Sequence, residues 1–165
     1  MSKVSPVSRF PGHQHDHDGC VERALQNAES ICRTRGLRFT AQRRKVLELV
    51  WMSHKPVGAY EILDRLRQDG QRAAPPTVYR ALDFLIDADL VHRLDSLNAF
   101  VGCPDPDSPH TGQFLICGSC RTVAEMDDPD IASLVERKAR AQGFAATQQM
   151  LEIQGRCRAC RNEAP

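Results

Sequence analysis

Cys117 and Cys120 form one C-x-x-C pair, Cys157 and Cys160 form a second, and 36 residues lie between the pairs. Tetrahedral zinc takes soft thiolates about 2.3 Å from the ion, and a C-x-x-C turn offers two of them from one tight loop. Two such turns complete a closed four-sulfur shell, which is the pattern of a structural zinc site. The intervening residues leave room for a strand over 122–126, a helix, and a second strand over 147–153, so the metal would clip together the two ends of a small α/β unit. Two disulfides are the alternative. Met1-Ser2-Lys3 opens no apolar stretch resembling a signal peptide, and a reducing cytoplasm, the expected compartment, keeps thiols available to metal.

A second set of potential ligands is spread along the middle of the chain: His92, Cys103, His110 and Glu125. Each is weak alone, since an isolated histidine or glutamate is most often a packed or solvated residue. Their placement strengthens them, because they come from both sides of the segment Cys103-Pro104-Asp105-Pro106-Asp107-Ser108-Pro109, where three prolines in seven residues disfavour regular structure. Two imidazoles, a thiolate and a carboxylate make a tetrahedral N/S/O site suited to zinc.

The elements that must carry these ligands follow from periodicity. Residues 1–19 hold Pro, Gly, Ser and the run His13-Gln14-His15-Asp16-His17-Asp18. Too little of this is apolar to fold, so it predicts a disordered His-containing tail, with weak metal binding as a second reading. Val21, Leu25, Ala28 and Cys32 then recur at helical spacing up to Gly36. Thr40 caps a second helix with Val46, Leu47, Leu49 and Val50 as its buried stripe, and a third runs over 59–68 on Ile62, Leu63 and Leu66 before Gly70. Pro75-Pro76 preset the first turn of a fourth, with Val78, Leu82, Leu85 and Ile86 facing inward. Two short extended runs around Asp95-Ser96-Leu97-Asn98 complete a hairpin. Helices followed by a hairpin make a winged helix.

The 165 residues carry a formal net charge of +1, which conceals a division. Eleven bases and four acids lie over 33–80, against seven bases and nine acids over 101–165. A basic front half fits a polyanion, and the fourth helix shows Thr77, Tyr79 and Arg80 near its start, a set suited to the major groove, where Arg can donate to both guanine acceptors. No apolar run approaches the roughly 20 residues needed to span a bilayer, so a membrane role has no support. Catalytic zinc keeps an open position, whereas both ligand sets offer four residues, and no H-E-x-x-H run appears; a hydrolase is disfavoured and the chain reads as a non-enzyme.

The phrases Arg38-Phe39-Thr40-Ala41-Gln42-Arg43, Pro75-Pro76-Thr77-Val78-Tyr79-Arg80-Ala81-Leu82-Asp83-Phe84-Leu85 and Phe114-Leu115-Ile116-Cys117-Gly118-Ser119-Cys120 resemble the hallmarks of the ferric uptake regulator superfamily of bacterial metal sensors, in particular its zinc uptake regulator (Zur-type) branch. The similarity runs over about 21–160. It implies an α+β fold with a winged-helix DNA-binding domain over 20–102, a hinge over 103–111 and a small α/β dimerisation domain over 112–165. It also implies a homodimer that reads an AT-rich inverted repeat in double-stranded DNA. Carried over residue by residue, structural zinc falls on Cys117, Cys120, Cys157 and Cys160, regulatory zinc on His92, Cys103, His110 and Glu125, and base contacts on Tyr60 and Arg80. Two Zn2+ per protomer are therefore expected. Iron- and peroxide-sensing members carry an H-H-x-H-like run before the first C-x-x-C, while this chain reads His110-Thr111-Gly112-Gln113. Loss of hard ligands there beside a thiolate at Cys103 favours zinc over iron or manganese. The expected function is a zinc-responsive repressor of zinc uptake genes, with zinc as the corepressor that locks the dimer in its DNA-binding conformation. The alternatives are an iron- or manganese-responsive regulator of the same superfamily and a zinc-stabilised interaction module.

Overall fold

Apolar residues once per turn make the segment around Leu25, Ala28, Ile31 and Cys32 helical, and in the computed structural model, which describes residues 17–53, 55–107 and 111–162, α1 spans His17–Thr34. The helix starts inside the stretch read as a tail over 1–19; Asp18 in its first turn complements the exposed N–H groups, which extends the helix upstream of Val21. Residues 1–16 lie outside the described residues. Gly36, at φ 66°, ends α1: its N–H bonds to Arg33 O and that of Leu37 to Cys32 O, a left-handed cap that glycine adopts without a Cβ penalty.

α2 (Ala41–Trp51) begins where Thr40 Oγ1 accepts from the Arg43 N–H at 3.3 Å, and it buries Val46, Leu47, Leu49 and Val50 as expected. α3 (Ala59–Gln68) buries Ile62, Leu63 and Leu66 and stops at Gly70, φ 77°. α4 (Pro75–Asp87) carries its two prolines in the first turn, one residue earlier than the sequence pattern placed the start. Its buried side is Val78, Ala81, Leu82 and Leu85, while Ile86 is only half-buried. Two antiparallel strands follow, β1 (Val91–Leu94) and β2 (Ala99–Gly102), with His92 opposite Val101. A 3-10 turn over Asp95–Leu97 and Asn98 in the left-handed region at φ 46° reverse the chain between them. Val57 pairs with Phe100 on the other edge of β2, through two backbone hydrogen bonds of 3.0 and 2.9 Å.

The core of this first unit, residues 17–107 among those described, is helical: Leu47, Ile62, Leu66, Leu82 and Leu85 are all at most 1% exposed, with Val91 and Phe100 closing it from the hairpin. Glycine at 102 is required by packing, since a Cβ there would lie 2.1 Å from Cε2 of Trp51. The helices and the hairpin form a winged helix.

The second unit, residues 111–162, is built on three strands in the order β4-β3-β5. β3 (Gly112–Cys117) is central, antiparallel to β4 (Val123–Glu125) and parallel to β5 (Met150–Gly155). α5 (Pro129–Ala141) makes the crossover, capped by the Asp128 carboxylate, which accepts from the N–H groups of Asp130 and Ile131. A short α6 (Arg158–Asn162) follows β5. The expected strand over 122–126 is present. The one expected over 147–153 begins later and ends later, because the parallel register pairs Gly112 with Met150 and Cys117 with Gly155. β3 itself was not foreseen: a central strand is covered on both faces, so Gln113 and Phe114 are both buried and no period-two alternation marks it.

Candidate metal centre and nucleic-acid face

The parallel pairing of β3 and β5 decides the metal centre. It sets Cys117 beside Gly155 at the ends of two neighbouring strands, and the Gly118 N–H donates to Gly155 O at 2.9 Å. The turn after β3 then carries Cys120, while Cys157 and Cys160 follow β5 into α6. The four sulfurs all lie within 4.8 Å of one another. A regular tetrahedron with arms of about 2.3 Å has edges of about 3.8 Å, and Cys120 Sγ to Cys157 Sγ measures 3.8 Å. Donor set and geometry both fit zinc.

The electrostatics point the same way. Cys117 is lowered to about 6, first by the N–H of Cys157, which donates to its sulfur at 3.4 Å, and then by the Cys120 N–H. Cys120 is lowered by Thr122, whose Oγ1 lies 3.3 Å from Sγ. Cys160 is pushed up to about 12 by the Cys157 side chain, burial and the other two thiols. Four sulfurs this close cannot all ionise unless a cation neutralises them, and a bound metal deprotonates its thiol ligands outright. Arg156 Nε donates to Ser119 Oγ at 3.3 Å and ties the two ligand loops together. Thr122 and Arg156 were not among the expected site residues; a Thr two positions after the second cysteine is a sequence signal for the first, and none exists for the second.

Of the second ligand set, the structure brings His92 and Cys103 together. His92 is half-buried on β1 and Cys103 follows β2 at 4% exposure, held by its own N–H donating to Leu90 O at 3.0 Å. A nitrogen of His92 and Cys103 Sγ lie within 4.8 Å. Of the described residues in the segment read as a hinge, 103–107 cluster with the first unit and 111 with the second. Glu125 is half-buried at the end of β4, opposite Phe114. His110 lies outside the described residues.

The expected DNA-contacting residues sit on exposed faces of α3 and α4. Tyr60 is 66% and Tyr79 41% exposed, Arg80 is exposed, and Thr77 is half-buried. No ion pair among the described residues uses Arg80. Other bases in the front half are committed inside it: Arg35 to Asp89, Arg44 to Glu29, Lys45 to Glu48 and Asp69, Arg65 to Glu61. The surplus of positive charge read from the sequence therefore narrows to fewer free cations, Arg80 among them. Arg43 stacks over the Phe84 ring at 3.5 Å and Arg35 donates to the Ala88 carbonyl at 3.2 Å, so bases from outside α4 pin its C-terminal end. Neither role was legible in the sequence, because both pairings are long-range.

The model of the ferric uptake regulator family matches residues 34–154. The zinc uptake regulation protein of Escherichia coli (strain K12) is 39% identical over 141 residues, which cover 85% of this chain and 82% of that protein. A zinc uptake regulator solved in complex with zinc and DNA superposes with a TM-score of 0.81 at 39% identity, over 86% of this chain and 95% of the other. Holo XcZur gives a TM-score of 0.77 at 46% identity, over 83% and 96%. By sequence and by fold alike, this chain belongs to the ferric uptake regulator family.

Proposed function

We propose that this chain is a zinc-responsive, DNA-binding transcriptional repressor of zinc uptake genes, working as a homodimer on an AT-rich inverted repeat. The observation that carries the reading is the pairing of a compact four-sulfur cluster with an exposed, uncommitted Arg80 in the first half of α4, in a chain 39% identical to a regulator solved with both zinc and DNA. Cys117, Cys120, Cys157 and Cys160 hold the ends of β3 and β5 together as thiolates. His92, Cys103, His110 and Glu125 form a second zinc site, which brings the expected content to two Zn2+ per protomer. The proximity of His92 and Cys103 and the softness of the thiolate support zinc over iron or manganese there. When bound, the metal supplies charge neutralisation at both sets and, at the second, the differential binding energy that favours the DNA-binding conformation of the dimer.

Arg80 donates to a guanine edge, Tyr79 and Thr77 lie beside it on α4, and Tyr60 reaches the duplex from α3. Linkage makes the effect reciprocal: operator DNA tightens zinc binding by the factor by which zinc tightens DNA binding, typically on the order of 1–3 kcal/mol. No helix among the described residues is long and apolar enough to cross a membrane, and the reducing cytoplasm suits free thiolates.

The test is operator affinity of the full chain measured across a series of buffered free zinc concentrations. Affinity should rise with zinc and not with iron(II) or manganese(II) at the same free concentration. Cys103→Ser should remain a folded dimer, retain the four-cysteine zinc, lose about one zinc per protomer and lose the zinc-dependent gain, since a site short of one of four ligands no longer closes. Full switching in that variant would place the regulatory metal elsewhere; zinc-independent operator binding by the wild type would leave only the interaction module.

A further inference from the structure

The two turns that carry the clustered cysteines are rich in arginine. Arg121 follows Cys120, Arg156 and Arg158 flank Cys157, and Arg161 follows Cys160. The second unit holds seven bases and six acids over 111–162, yet no acid falls within 117–121 or 155–162, so the remainder has three bases against six acids. Charge is therefore segregated. Four guanidinium groups belong to the end of the sheet where the Gly118 N–H donates to Gly155 O at 2.9 Å, around cysteines whose sulfurs lie within 4.8 Å of one another. All four arginines are exposed, and none joins an ion pair among the described residues. Arg156 donates to Ser119 Oγ. Glu163, the next acid along the chain, lies outside the described residues. Four thiolates around one Zn2+ carry two negative charges, which still leaves this end cationic when loaded. Like charges held so close repel, and an external polyanion relieves that repulsion.

We propose that this arginine-rich end of the second unit is a contact site for the phosphate backbone of double-stranded nucleic acid, bound without regard to sequence and in addition to the contacts of α3 and α4. Residue type argues for phosphate. All four bases are arginine, whose planar fork donates two parallel hydrogen bonds to one phosphate group. The surroundings argue against an acidic protein partner. Protein interfaces are anchored by buried aromatic side chains, and neither turn has an aromatic residue. What the turns expose besides arginine is Gly118, Ser119, Ala159 and Asn162, small and polar groups that let a backbone approach and offer it donors.

The experiment uses the zinc-loaded full chain and a random duplex, with affinity followed against salt concentration. Each phosphate contact adds about 0.9 to the slope of log affinity on log salt. Arg121→Gln/Arg158→Gln/Arg161→Gln should therefore lower that slope by about 3, with zinc content and dimer size as checks on the fold; Arg156 is left in place because it ties the ligand loops together. The matching triple change to lysine, which keeps the charge, should retain most of the slope. Arg137→Gln/Lys138→Gln on α5 removes charge away from the turns and should leave the slope as it is. The loss should be the same on operator and random duplex and persist beside Arg80→Ala, so failure of operator reading by α4 would not mimic it. If the triple variant loses zinc, Arg158→Gln alone, with an expected drop of about 1, decides. An unchanged slope in the glutamine variant overturns the proposal. So does an equal drop per charge in the α5 variant, or binding of poly-glutamate that depends on the three arginines while duplex binding does not.

Discussion

The two units of this chain are held together by different physics. The first buries a continuous apolar core from Leu25 to Phe100, in which four helices and a hairpin each contribute fully covered side chains. The second buries few: Phe114, Ile116, Val123 and Ala124 from two strands, the Gln113 amide, and three of the four clustered cysteines. Its helix α5 buries no residue at all, and Leu134, Val135, Phe144, Met150 and Ile153 stand exposed. A domain so short of core needs a staple, and a structural metal contributes folding free energy directly. The exposed side chains also mark a surface that a second copy can cover, in line with the proposed homodimer. The first unit thus carries its own apolar core, and the second carries little beyond its cysteine cluster.

The strongest way to break this contrast is Cys117→Ser. It should release the four-sulfur zinc and unfold or monomerise the second unit while the first still melts cooperatively, read by zinc content, sedimentation and calorimetry. An intact dimer with an unchanged melting temperature and no zinc would show that the second unit stands without its staple.

The complementary change is Leu82→Ala, at 0% exposure on α4. Truncating a fully buried leucine leaves a cavity and should cost the first unit about 2–5 kcal/mol. Zinc bound by Cys117, Cys120, Cys157 and Cys160 should be untouched. Loss of that zinc would mean the two units do not fold separately.

Arg80→Ala probes function without touching either core. It should cost about 1–3 kcal/mol on operator DNA if the guanidinium reads a guanine, and much less on random duplex. Equal loss on both would make Arg80 a phosphate contact.

Lys45 offers the smallest effect. It pairs with Glu48 at 3.2 Å and Asp69 at 3.1 Å, and its amine is raised above the ordinary 10.5, first by the hydrogen bond to Asp69. A raised amine stabilises the fold fully below its unfolded value and loses that contribution as pH climbs through the folded one. Lys45→Met should therefore cost the first unit about 0.2–1 kcal/mol near neutral pH, as for a solvent-screened pair. The difference from wild type should shrink as pH climbs from 10.5 through the raised folded value.

Legibility differed between the two units for a physical reason. In the first, local signals coincide with the outcome: Thr40 caps α2, Pro75-Pro76 open α4, Gly70 closes α3, and the stripes Val46-Leu47-Leu49-Val50 and Ile62-Leu63-Leu66 are buried. Helices declare themselves within a few residues. β3 and the bounds of β5 did not, because a parallel pair is specified by partners nearly 40 residues apart, Gly112 with Met150 and Cys117 with Gly155. The front-half bases were legible as charge but not as partners, since Arg35 meets Asp89 and Arg43 meets Phe84 only in the folded state.

What the sequence determined by itself is chemistry that depends on residue type and short spacing: two C-x-x-C turns for a soft metal, an exposed Tyr-Arg pair early in a proline-started helix, and the order of helices and hairpin. What only the tertiary structure decided is chemistry that depends on distance. The parallel register sets Cys117 against the Cys157 N–H, lowering one thiol while Cys160 is pushed up, so that four cysteines become one site that a cation must neutralise. The same register buries Gln113 opposite Leu151. Spacing along a chain can name the ligands, but the field they feel is a sum over neighbours that only folding brings within a few ångströms.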